Sequence, residues 1–132
     1  MHAIVHSLHA NNTFMPELLN AGPMDLGYGK ATNLPPGTML VHLTLQQAVL
    51  DGADRIEFRL ANESSATGFQ VTVRTGAGET QLPPFPASLF SPCMVVLCNY
   101  AAVPYYATGR VHGTIRTENP TSQWKLESDD LQ

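Results

Sequence analysis

From Met39 the chain alternates with a period of two. Met39, Val41, Leu43 and Leu45 form one set and Leu40, His42, Thr44 and Gln46 the other, the pattern of a half-buried strand. Leu45 to Leu50 also fits a helical turn, which Asp51-Gly52 would close. The clearest alternation follows in Arg55–Ala61, where Ile56, Phe58 and Leu60 face a core and Arg55, Glu57 and Arg59 face water. Phe69, Val71 and Val73 repeat it against Gln70, Thr72 and Arg74, and Gly76-Ala77-Gly78 is a turn. Proline density in Leu82-Pro83-Pro84-Phe85-Pro86 excludes a central strand, and Ala87–Phe90 suits one helical turn. Met94 to Tyr100 is almost continuously apolar and predicts a strand buried on both sides. In Tyr106–Thr117, Ala107, Gly109, Val111, Gly113 and Ile115 share one face, and Thr108, Arg110, His112, Thr114 and Arg116 the other.

Five such strands separated by Gly/Pro turns predict an all-β protein, an antiparallel sandwich or small barrel spanning residues 37–117. Residues 1–36 show no sustained period. Asn11-Asn12, Pro16, Gly22-Pro23 and Gly27-Tyr28-Gly29 interrupt it, so this region reads as an extended N-terminal arm. Residues 118–132 read as a C-terminal tail bearing Trp124 and the acids Glu127, Asp129 and Asp130.

Composition narrows the function classes. With 132 residues the chain makes one ordinary domain. Charged residues are 14%, well below the roughly 25% usual for soluble domains, so much of the surface must be uncharged polar groups or covered by a partner. The net charge of −4 and the scatter of seven basic residues along the chain argue against nucleic-acid binding. No apolar run approaches the ~20 residues of a membrane-spanning helix, and Met1–His6 lacks the basic start of a secretion signal.

Candidate chemistry is sparse. Cys93 and Cys98, five apart, would point to opposite faces of a strand, cannot bridge each other, and read as buried free thiols. They do not form a zinc spacing. Gly27-Tyr28-Gly29-Lys30-Ala31-Thr32 resembles the end of a phosphate loop only in its Gly and Lys; Ala31 stands where the hydroxyl is needed. His2, His6 and His9 would share a helical face, but the breakers that follow favour incidental histidines on an arm. His42 and His112 fall on polar strand faces and read as surface imidazoles. Asp51/Asp54 and Asp129/Asp130 lack the apolar enclosure that acid–base work requires. The sequence thus predicts no catalytic, metal or cofactor site and no enzyme activity. Phe14, Leu18, Leu19 and Trp124, outside the predicted strands, are the candidate partner contacts.

The order of features resembles the jelly-roll capsid cement, or decoration, proteins of tailed bacteriophages. Met24-Asp25-Leu26-Gly27 precedes a Gly/Pro turn and the segment Pro36–Leu43. Leu50-Asp51-Gly52-Ala53-Asp54 turns into Arg55–Phe58, Leu82–Leu97 makes a Leu-Pro connection, and Tyr105–Ile115 carries an aromatic-Thr-Gly segment. The resemblance implies a jelly-roll sandwich that trimerises on the outside of an icosahedral shell, assembled in the host cytoplasm. It also implies the major capsid protein as partner, and no nucleic acid, membrane or small-molecule substrate. Another virion component, such as a tail tube, head–tail connector or fibre-linked protein, is the alternative. A ligand-binding jelly roll using Tyr100, Tyr105 and Tyr106 is a third reading.

Overall fold

Pro36 begins a helix where the alternation predicts a strand. The computed structural model describes residues 2–8, 22–27, 29–30, 32–60, 68–103 and 111–128. In it α1 spans Pro36–Asp51, with proline in the first turn where its missing N–H costs no helical bond. The helix ends at Gly52, whose φ of 72° is left-handed. Gly52 N–H donates to Val49 O and Ala53 N–H to Ala48 O, the paired bonds of a Schellman stop. Its buried positions are Gly37, Val41, Thr44, Leu45 and Ala48, with His42 beside them, which is a period near 3.6.

The second apolar run is likewise a helix, α2 (Phe90–Ala101), preceded by a 3₁₀ turn at Ala87–Leu89. Phe90, Cys93, Met94, Leu97, Cys98 and Ala101 are its buried side, spaced three and four apart. The predicted opposite-face placement of the two cysteines is therefore corrected. Both thiols lie buried and free on one helix.

The strands are β1 (His2–Leu8), β2 (Met24–Asp25), β3 (Arg55–Leu60), β4 (Phe69–Thr75), β5 (Gly78–Gln81), β6 (Val111–Glu118) and β7 (Ser122–Ser128). They form one sheet in the order β2-β6-β7-β1-β3-β4-β5. All neighbours are antiparallel except β2 and β6. The protein is mostly β, as the sequence predicts. The described residues form a single open mixed sheet with two helices, however, and not the two facing sheets of a jelly roll. The difference lies in the two segments that fold as α1 and α2.

Both chain ends enter the sheet. β1, within the expected arm, pairs with β3 on one side and β7 on the other. β7, within the expected tail, pairs with β1 and β6. Residues 1–36 and 118–132 are thus corrected from appendages to elements of the fold at 2–8, 24–25 and 122–128.

Inward-facing residues come together in register: Ala3 opposite Phe58, Val5 opposite Ile56 and Leu126, Phe58 opposite Val71, and Ile115 opposite Trp124. They share one core with the buried sides of both helices. Phe69 lies edge-on to Phe90 at 5.3 Å between ring centroids, joining β4 to α2. Two glycines allow the layers to approach. A Cβ on Gly37 would lie 2.5 Å from Pro92 Cβ, where α1 meets α2. A Cβ on Gly113 would lie 2.6 Å from the Ala101 carbonyl oxygen, where α2 meets β6.

Candidate functional site

The four residues expected to contact a partner divide in two. Phe14, Leu18 and Leu19 lie outside the described residues. Trp124 is 1% exposed, in a strand with neighbours on both sides, and its Nε1–H donates to Ser122 Oγ at 2.9 Å. Trp124 is a core residue, so its role as an exposed anchor is corrected. The isolation of Trp124 in a polar segment concealed the period-two pattern it shares with Leu126 and Ser128.

Three other places carry chemistry that one-dimensional reading did not locate. The first is the outer surface of the helices. α1 and α2, 16 and 12 residues long, hold one charged side chain between them, Asp51 at the end of α1. Leu50 is 71% exposed, and Leu43, two turns earlier on the same stripe, is 45% exposed. Val95 on α2 is 46% exposed.

The second is the sheet face turned away from the helices. Register places Arg55, Arg59, Arg74, Arg116 and Lys125 on it, five of the seven basic residues. His2, His6 and His112 lie there as well. Glu57 accepts from Arg59 Nη2 at 2.8 Å. Glu127 lies 3.2 Å from Lys125 Nζ and 3.6 Å from His6 Nε2, and the hydrogen bond from Lys125 holds its carboxyl below the usual range. The expected arm histidines His2 and His6 therefore belong to a central strand.

The third is a polar cluster where β2 meets α1 and α2. Asp25 Oδ1 accepts from Asn119 Nδ2 at 3.0 Å and from the Gly27 N–H at 2.9 Å, and Lys30 Nζ lies 3.7 Å from Oδ2. These contacts, Asn119 foremost, hold its carboxyl below the usual value. Gln46 Nε2 donates to the Leu26 carbonyl at 2.9 Å, tying α1 to this segment. His42, expected at the surface, is buried, with its ring edge-on to Tyr100 at 6.1 Å. Among the described residues, neither ring nitrogen makes a hydrogen bond of good geometry. Burial pushes the imidazole below its ordinary value; the nearby Asp25 carbonyl and carboxylate oppose this without cancelling it.

The cysteines are deep in the core, where burial pushes Cys93 up to about 12 and Cys98 up to about 11. Cys93 Sγ points to the Gly37 carbonyl at 3.6 Å. Among the described residues, no group of three or more His, Cys, Asp or Glu is placed to hold a metal ion. No helix among them is long and apolar enough to cross a membrane. Asp51 accepts from Gln47 at 3.0 Å and Asp54 from Arg74 at 3.0 Å, so each carboxylate has its own donor. Asp129, Asp130, Tyr105 and Tyr106 lie outside the described residues.

Compared with known proteins, the chain matches no family model and no curated protein.

Proposed function

We propose that this chain is a structural protein that works by association, and that its specific role is the one its sequence resemblance implies: a capsid cement protein that trimerises on a phage shell and bridges major capsid subunits. The observation that supports association is the uncharged outer side of the helices, with Leu43, Leu50 and Val95 exposed. A solvated helix face ordinarily carries charge. This one carries none between Pro36 and Leu50, so a second copy meets no like charge to repel it and gains the burial of three apolar side chains. The occupant this reading assigns to the face is a second copy of the chain. The helix-backed sheet removes jelly-roll architecture from the case for a cement role, which then rests on the order of sequence features and on this surface.

Light scattering of the whole chain on a sizing column tests the reading. The expected mass is three times 14.3 kDa. Leu43→Glu with Leu50→Glu should reduce it to the monomer mass while the buried Trp124 keeps its native emission. A hexamer would transfer the proposal to a ring component such as a tail tube or connector. A monomer at high concentration would overturn association through the helices.

A further inference from the structure

Strand register sets up a row of basic side chains that the sequence does not reveal. Across β7, β1, β3 and β4, Lys125 lies opposite His6, His6 opposite Arg55, and Arg55 opposite Arg74. With strands ~4.8 Å apart, the row covers about 14 Å of the open sheet face. Like charges placed directly opposite one another destabilise a sheet. The two ends of the row are compensated: Lys125 by Glu127 at 3.2 Å and Arg74 by Asp54 at 3.0 Å. Arg55, in the middle, has no acidic partner among the described residues, and its neighbours in the row are His6 and Arg74. The net charge of the whole chain is −4, so this row stands out against the sign of the molecule.

We infer that the helix-free face of the sheet docks an acidic segment of a partner protein, with Arg55 as the central contact and Lys125 and Arg74 on either side. The inference rests on the association reading above and assigns a second surface to it. Charge complementarity selects the occupant. A guanidinium without a counter-ion offers a planar fork to a carboxylate. Single-stranded nucleic acid would need aromatic platforms for its bases. The outward positions of β1, β3, β4, β6 and β7 within the described residues include no Phe, Tyr or Trp. A face with cations but no stacking platform favours carboxylates over bases.

The test is fluorescence anisotropy of a labelled poly-glutamate peptide titrated with the full chain at low salt. Binding is expected, weakening as salt rises. Arg55→Glu and Lys125→Glu should each weaken it about tenfold or more. Lys30→Glu, at the turn after β2, should leave it unchanged. Trp124 emission verifies that each variant is folded, and Arg55→Gln serves where the reversal is not. Absence of binding, binding undiminished by both reversals, or tighter binding of an oligothymidylate would overturn the inference. Mass measured on the same samples separates the two proposals. Arg55→Glu should keep the assembled mass while losing the peptide, whereas a monomeric wild type that binds the peptide would fail only the association reading.

Discussion

Protonating His42 should weaken the fold, and removing the imidazole should abolish that weakness. The ring is buried and, among the described residues, neither nitrogen makes a hydrogen bond of good geometry, so even the neutral form carries a desolvation cost. For an unsatisfied buried polar group that cost is about 1–3 kcal/mol. Leucine fills a similar volume with no polar atoms, at the loss of one edge-on ring contact with Tyr100 worth roughly 0.5–1.5 kcal/mol. His42→Leu should therefore be neutral or stabilising by about 1 kcal/mol at pH 7.5.

The pH dependence has a definite sign. Burial sets the folded value below the ordinary 6.5 of histidine. Between the two values the unfolded chain binds the proton and the folded chain does not, so stability rises with pH. The contribution of His42 is fully present above about pH 6.5 and is lost on acidification down to the folded value, at about 1.4 kcal/mol per pH unit between them. Asp25 is the charged group facing the ring from β2, and Tyr100 faces it from α2. The assay is urea unfolding followed by Trp124, the single tryptophan, at several pH values from neutral to mildly acidic. The other histidines are common to both proteins, so the difference between wild type and His42→Leu isolates this one. Equal slopes in the two proteins, or a leucine variant less stable by about 2 kcal/mol or more at pH 7.5, would refute the argument.

Four further outcomes follow from particular contacts. Ala102 closes α2 at a φ of 62°, where a Cβ is strained, so Ala102→Gly should raise stability by about 0.5–1 kcal/mol in the same urea assay. Gly37→Ala should cost about 1–3 kcal/mol, because its Cβ would press on Pro92, including the backbone carbon at 3.1 Å; calorimetry would show a lower Tm. Cys93 and Cys98 should resist a thiol reagent in the native protein and react fully in denaturant, since burial disfavours both thiolates. Deleting residues 1–8 should abolish cooperative unfolding, because β1 supplies the pairing for both β3 and β7.

Where one face of a strand is buried and the other solvated, alternation located the element and its orientation. Arg55–Leu60 and Phe69–Arg74 are strands with the expected sides inward, and so is Gly113 to Thr117. Alternation failed where apolar residues were too dense to reveal a period. Met39–Leu45 satisfies both a period of two and a period of 3.6, and the uncapped proline start withheld the usual Ser/Thr/Asp signal at Pro35. Met94–Tyr100 looks like a doubly buried strand until Phe90, Cys93 and Ala101 are included, when the spacing becomes helical. β1 and β7 were hidden for the opposite reason. Ala3 and Val5 are a weak apolar signal between histidines, and β7 places Trp124 and Leu126 among charges. The row Lys125, His6, Arg55, Arg74 was not legible at all, since its members lie on four strands and only long-range register brings them together.

The same alternation that builds the core also sorts the charge. β1, β3, β4, β6 and β7 give their buried side to the helices and the other side to water, so five of the seven basic residues scattered along the chain accumulate on one face of the sheet. The helices, nearly without charge, leave the opposite surface uncharged, with Leu43, Leu50 and Val95 exposed on it. The two surfaces therefore respond to different conditions. Contacts through Leu43 and Leu50 bury apolar area and strengthen with structure-making salts, whereas contacts through Arg55 and Lys125 weaken as salt screens them. An assembly using both would be held by contacts among its copies that salt does not weaken while its grip on an acidic partner stayed adjustable. Raising the salt should thus strip the partner and leave the oligomer whole. Dissociation in the reverse order would mean that the two faces do not act in the roles assigned to them.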